Sequence, residues 1–252
     1  MESSRGRKLI SLTICKSSLA NHSIDQESRG FFGRRIGRPL TPARKTLLSE
    51  VLPHYALPPL DETIVPTALF PDAKEIWMEI GFGDGEHLAA LVHKNPDIGF
   101  IGIEPFINGM ANFLSRIADL SNPALKVHMD DAIPVVRAME AACVDRLYIL
   151  NPDPWPKTRH HKRRIINQKN LDDFTRILKP GGLLIMATDV DDLAEWMVTH
   201  CANHPHLQWT ATCADDWTTA PDWWALTTRY AKKGLEAGRR QSYLVFERLL
   251  ES

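Results

Sequence analysis

Cysteine is scarce. The 252-residue chain carries four, Cys15, Cys143, Cys201 and Cys213, far apart and never in CxxC spacing. That pattern excludes a disulfide framework and suits a reducing compartment, so a cytoplasmic protein is expected. Long apolar runs are also missing. A bilayer span needs roughly 20 residues, whereas the longest runs here, such as LLIMA at 183–187, are strand-sized, so no membrane partner is expected. Internal repeats are absent too. Hydrophobic residues at 44% and charged residues at 24% give the ordinary balance of a soluble globular protein. The length is enough for one α/β domain with a substantial core.

Acids are missing where bases are dense. The net charge is −1, yet residues 1–46 hold ten Lys/Arg against Glu2, Asp25 and Glu27, a local +7. Residues 157–169 hold six Lys/Arg and no acid, which leaves −14 for the rest of the chain. A cationic arm and a cationic loop on an acidic body fit a polyanionic partner met on one face; taken singly, each is also what a solvated surface looks like. Residues 1–30 are Ser- and Arg/Lys-rich without aromatics, the composition of a disordered basic tail and also of an organellar presequence. In residues 31–60, Phe31 and Phe32 stand beside Arg34, Arg35 and Arg38, which suits an arm that packs on the domain or stacks on nucleic acid.

From residue 75 the pattern alternates. Strands are predicted at 75–80, 98–104, 125–129, 144–150 and 183–189, with helices at 86–94, 106–119, 132–141 and 164–178, the last closed by the turn KPGG at 179–182. Such alternation implies a mostly parallel sheet with right-handed crossovers. The segment QSYLVFERLL at 241–250 is predicted as an antiparallel edge strand. Ligands of such sheets bind beyond the carboxyl ends of the strands.

Three chemical signals fall at those ends. The run MEIGFGDGEH follows the first strand, and Gly81, Gly83 and Gly85 allow a tight backbone turn against a ligand. It is not a full dinucleotide fingerprint, because Glu86 stands where the last glycine would be. Glu79 and Glu86 would repel a pyrophosphate but suit a cationic donor such as S-adenosylmethionine. Glu104, at the end of the second strand, can accept from both hydroxyls of a ribose. Asp131 can meet an adenine amino group, and Asp130 can equally cap the next helix. Finally, NPDPWPKTRHHKRR at 151–164 clamps Asp153 between two prolines and then opens into a basic loop.

In this order EIGFGDG, IGIE, DDA, PDPWPKTRHHKRR, ATD and TTRY resemble the bacterial tRNA (guanine-N7)-methyltransferases of the TrmB type, from about residue 30 onwards. The resemblance implies a Rossmann-like, seven-stranded S-adenosylmethionine-dependent methyltransferase fold, with a mostly parallel sheet and helices on both faces. It implies methylation of N7 of the variable-loop guanine in tRNA. Cofactor contacts would come from Glu79, the glycine loop, Glu104, Asp131 and Asp153, with Asp153 also the catalytic residue. Substrate contacts would be Lys157, Asp189, Thr228, Arg229 and Tyr230. RNA contacts would be Arg159, His160, His161, Lys162, Arg163 and Arg164, with Arg34 and Arg35 from the arm. The family motif ends in Glu where Ala231 stands here, and Asn151 replaces the usual Phe before PDPW.

Alternatives remain at this level. Asp189 could orient the guanine or cap the helix at 191–202. Trp155 could stack on a base or pack beneath the loop. His200, Cys201, His204 and His206 lie close enough in sequence to suggest a metal, but Pro205 interrupts the helix and no distant cysteine pair completes a site, so no metal is expected. A methyltransferase with another RNA, protein or small-molecule acceptor, or an RNA-docking module with a vestigial cofactor site, would share the same sheet. The chain is expected to act as a monomer or homodimer.

Overall fold

Short apolar runs joined by helical segments can pair in parallel only if each connection crosses back over the sheet. The computed structural model, which describes residues 33–121, 123–225 and 228–250, shows this arrangement. Its strands are β1 (Glu75–Ile80), β2 (Ile98–Ile103), β3 (Leu125–His128), β4 (Val144–Leu150), β5 (Leu178–Thr188), β6 (Leu207–Trp209) and β7 (Ser242–Arg248). Their order in the sheet is β3-β2-β1-β4-β5-β7-β6. The first five strands run parallel, and β7 runs antiparallel to both β5 and β6.

The helices are α1 (Pro42–Thr46), α2 (Leu52–Tyr55), α3 (Pro66–Leu69), α4 (Glu86–Lys94), α5 (Ile107–Arg116), α6 (Ala132–Ala138), α7 (Gln168–Ile177), α8 (Asp191–Ala202), α9 (Asp215–Thr218) and α10 (Arg229–Glu236). Both faces of the sheet are covered, which is why the strands read as nearly continuous apolar runs. On one face Met78, Ile80, Leu147 and Met186 pack with Val135 of α6, Phe174 of α7 and Leu193 of α8. On the other, Trp77, Phe100, Tyr148 and Ile185 pack with Leu88 of α4 and Met110 and Phe113 of α5. Adjacent residues of one strand thus serve opposite cores, as the strand's period of two requires. Each such side chain contributes about 1.5–3 kcal/mol when fully buried.

Four expectations from the sequence need correction. The C-terminal strand is not the edge, because the three-residue β6 pairs outside it; LQW is too short to carry a readable alternation. The basic segment after residue 157 is a 3-10 helix, Thr158–Arg163, and α7 starts only at Gln168, where the Asn167 side chain accepts from the Asn170 N–H. Residues 179–182 do not close α7 as a free turn but lie within β5, with Gly181 at φ +79°, opposite a register shift in β4. Finally, α6 is capped by Asp131, whose Oδ1 accepts from the Ile133 N–H, rather than by Asp130.

Candidate active site

The crossovers leave β1 outward to β2 and β3, then return to β4 on its other side. The switch point therefore lies between β1 and β4, where open α/β sheets bind ligands. Both motif loops leave from those strands.

After β1, Gly81, Gly83 and Gly85 all take left-handed backbone, at φ +74°, +56° and +69°. A Cβ on Gly81 or Gly83 would meet nothing within 4 Å, so the loop turns its open side toward free space. Its other side is packed hard. A Cβ on Gly109 of α5 would lie 2.3 Å from the Gly83 carbonyl oxygen. Glu104 ties the loop down: its Oε2 accepts from the Gly83 N–H at 2.6 Å and its Oε1 from the Phe106 N–H at 2.8 Å.

Three carboxylates converge on this hollow. Glu104 is buried, and burial pushes its pKa up; the two backbone donors counter this, while the charges of Glu79 and Asp153 push it further up. Asp153 is open to solvent on one side, yet the surrounding walls desolvate it enough to raise its carboxyl as well. Glu79, 2% exposed, accepts from His87 Nδ1 at 2.9 Å. The His87 Nε2 is buried with no hydrogen-bond partner among the described residues, and its ring lies against Tyr148 and Trp224. Sequence spacing does not reveal this pair, because the two residues are eight positions apart across a strand-to-helix turn. Asp131, after β3, is the α6 cap. Its neighbour Asp130 accepts from Arg35 at 2.6 Å, which seats the basic arm there; Arg38 and Gly37 are bonded to Asn108 beside it.

After β4 the backbone turns left-handed on both sides of Asp153. Asn151 and Trp155 have φ of +48° and +43°; asparagine tolerates this conformation, whereas for tryptophan it costs on the order of 1–3 kcal/mol. Arg164 supports this loop: its Nε donates to the Pro154 carbonyl at 2.9 Å, it pairs with Asp192, and it stacks over Trp196 at 4.9 Å. At 1% exposure Arg164 is not an RNA-facing side chain, which corrects its assignment to the basic surface. The other cations of the segment divide. Lys157, Arg159 and Lys162 are exposed, whereas His160, His161 and Arg163 are half-buried around Trp155 and Trp196. His160 has its pKa lowered by partial desolvation and by the surrounding charges of Arg163, Arg159, Lys157 and Lys162. Trp155 packs under Arg163 and edge-on to His160. Arg34 is exposed.

The C-terminal motif folds back over the same loops. Thr228 caps α10. Arg229 reaches the start of α4, with its Nε 2.6 Å from Glu86 Oε1, its N–H on Glu86 Oε2, and Asp84 at 3.2 Å. Burial alone would push Glu86 up, but the hydrogen bonds and charge of Arg229, with Arg116 nearby, outweigh it and lower the pKa. The backbone of Tyr230 lies in α10; its side chain is outside the described ones. Asp189, 5% exposed, accepts from Arg239 Nε at 2.8 Å and is covered by Gly234 of α10. It does not cap α8, whose N-cap is Val190. The histidines near the end of α8 are structural: His204 pairs with Asp172 and His200 stacks on Trp196. Among the described residues no group of three His, Cys, Asp or Glu side chains could hold a metal ion. No described helix is long and apolar enough to cross a membrane.

Known proteins resemble this chain. A family model described as "Putative methyltransferase" matches residues 73–244. A tRNA (guanine-N(7)-)-methyltransferase of Rhizobium meliloti is 45% identical over 224 residues, 88% of this chain and 96% of that protein. The chain belongs to the tRNA (guanine-N7)-methyltransferase family. A family member from Rhodospirillum rubrum is 41% identical over 227 residues, covering 88% of this chain and 89% of that protein. The structure of the 16S rRNA methyltransferase KamB, 15% identical, covers 73% of this chain and 92% of its own with a TM-score of 0.51, which fixes the family fold. The family's donor is S-adenosylmethionine, and the hollow suits a cationic ligand: a glycine loop open on one side, with Glu79, Glu104 and Asp153 close enough to feel one another's charge.

Proposed function

We propose that this chain methylates N7 of guanine 46, in the variable loop of tRNA. It is an S-adenosylmethionine-dependent tRNA (guanine-N7-)-methyltransferase, and its reaction belongs in the cytoplasm, where Cys143, Cys201 and Cys213 stay free thiols. The observation that carries this reading is the joining of two opposite fields at one strand end. Carboxylates Glu79, Glu104 and Asp153 gather around an open glycine loop, while exposed Lys157, Arg159 and Lys162 follow Asp153 within nine residues.

The donor supplies an electrophilic methyl group on a cationic sulfur. Guanine N7 has an exposed lone pair, so no general base is required and the protein's work is alignment and exclusion of water. Glu104, braced by two backbone donors, would hold the ribose hydroxyls, and Glu79 the donor's ammonium. Asp131 would meet the adenine amino group. Asp153, fixed between two prolines and two left-handed residues, faces the positive charge that grows on the purine. Lys157, Arg159 and Lys162, with Arg34 of the arm, draw in the phosphate backbone. Asp189, Thr228, Arg229 and Tyr230 belong to the acceptor side, where Asp189 must exchange Arg239 for the base. The catalytic unit is a monomer or homodimer.

Incubation with methyl-labelled donor and unmodified tRNA, followed by nucleoside analysis, tests the reading. Label in 7-methylguanosine is expected. Label confined to another nucleoside, to protein or to a small acceptor contradicts it, as does tRNA binding without transfer.

A further inference from the structure

One amide at the start of the NPDPW loop is left half-used. Gln241, immediately before β7, is 6% exposed. Its Nε2 donates to Asn151 Oδ1 at 2.9 Å, and its Oε1 is buried with no hydrogen-bond partner among the described residues. A buried carboxamide oxygen without a donor costs on the order of 1–3 kcal/mol, so its retention calls for a partner that arrives later.

Its surroundings say which partner. Gln241 lines a small cleft together with Leu150, Asn151, Trp224, Thr228 and Tyr243. The cleft thus joins the start of the NPDPW loop to the TTRY segment, two stretches that sequence alone leaves nearly eighty residues apart. Asn151 is itself fixed: its N–H donates to the Ala187 carbonyl at 2.7 Å, and its φ of +48° holds the side chain in a left-handed turn that asparagine tolerates. Asn151 takes one of the two amide hydrogens and fixes the orientation of the amide, so the atom left without a partner is its acceptor oxygen. Guanine carries donors, N1–H and the 2-amino group, on the edge opposite N7. Adenine offers an acceptor, N1, at the corresponding place. Trp224, whose ring sits edge-on to Tyr243 at 4.9 Å, forms the apolar wall.

We propose that Gln241 Oε1, oriented by Asn151, is the acceptor that reads the N1–H and 2-amino edge of the target guanine. The inference rests on tRNA guanine being the acceptor. It makes Gln241 a specificity-determining residue in a position no motif marks, with the Asn151 that stands in place of phenylalanine as its orienting partner.

The test uses full-length protein and tRNA carrying either guanine or inosine, which lacks the 2-amino group, at the target position. Wild-type kcat/KM is expected to fall about tenfold with inosine, the effect of one lost hydrogen bond to a buried acceptor. Gln241→Leu is expected to use both tRNAs equally, at or below the wild-type rate on inosine because it also loses the N1–H contact, with its melting temperature showing that it folds. Asn151→Gly keeps the left-handed turn but removes the oxygen that orients Gln241; it is expected to weaken the preference for guanine, and an undiminished preference there overturns the proposal if the leucine variant does not fold. Equal wild-type use of both tRNAs, or an undiminished preference in Gln241→Leu, overturns the proposal. Failure of wild-type protein to methylate either tRNA instead contradicts the function on which it rests.

Discussion

At the scale of single residues, the hollow is held open by what is absent as much as by what is present. Gly109 lets α5 approach the glycine loop so closely that a methyl group there would overlap the Gly83 carbonyl. Gly109→Ala is therefore expected to displace the loop, weaken donor binding about tenfold or more, and cost about 1–3 kcal/mol of stability by overpacking. Calorimetric titration with the donor and thermal melting check both. Gly109 was invisible in the sequence because its need for glycine comes from a contact 26 positions away, not from a turn. Glu104 and Asp153, by contrast, were legible, since the end of a strand and a Pro-Asp-Pro clamp are local signals. Their carboxyls are raised, so each stays protonated to a higher pH in the folded chain than in the unfolded one. Ionising them costs the ligand-free fold stability as pH rises through that window, and the same ionisation is what a cationic donor needs.

At the scale of elements, the active loop is strained at Trp155 and must be held from below. Asn151 and Trp155 flank Asp153 in left-handed backbone, and Arg164 bonds the Pro154 carbonyl between them from inside the core. Arg164→Ala would leave that carbonyl and Asp192 without their cation. It is expected to destabilise the protein by about 2 kcal/mol and to lower kcat more than tRNA affinity, because Asp153 loses its placement while the surface cations remain. Urea denaturation and steady-state kinetics on the same variant check this; a loss in tRNA affinity with unchanged kcat would contradict it. The sequence placed Arg164 on the basic surface because a run of Lys and Arg carries no mark of which member turns inward. That mark lies in the 3-10 turn of Thr158–Arg163, which rotates Arg164 toward Trp196 and α8. Strands β1 and β4 and helices α4 and α8, whose ends match the sequence reading, were legible because apolar period and boundary residues coincide there. β6 was not, being three residues on an edge.

At the scale of the molecule, the charge imbalance seen in the sequence becomes a division of labour. The carboxylates face inward at the switch point of the sheet, and the exposed cations Lys157, Arg159 and Lys162 stand on the loop beside it. Replacing these three by alanine is expected to weaken tRNA binding at low salt and to reduce the slope of log affinity against log salt by roughly two to three units, about one per lost phosphate contact. Binding measured from low to moderate salt checks it, and donor affinity is expected to be unchanged. The central claim is that a cationic methyl donor is held by carboxylates around the glycine loop. Calorimetric titration of S-adenosylmethionine into wild-type protein and Glu104→Gln across a pH series tests it most directly. The account predicts a single site whose affinity rises as pH climbs through the raised pKa values of Glu104 and Asp153, and which weakens by tenfold or more in Glu104→Gln. Absence of binding heat, or an affinity indifferent to both pH and the Glu104 substitution, would contradict it.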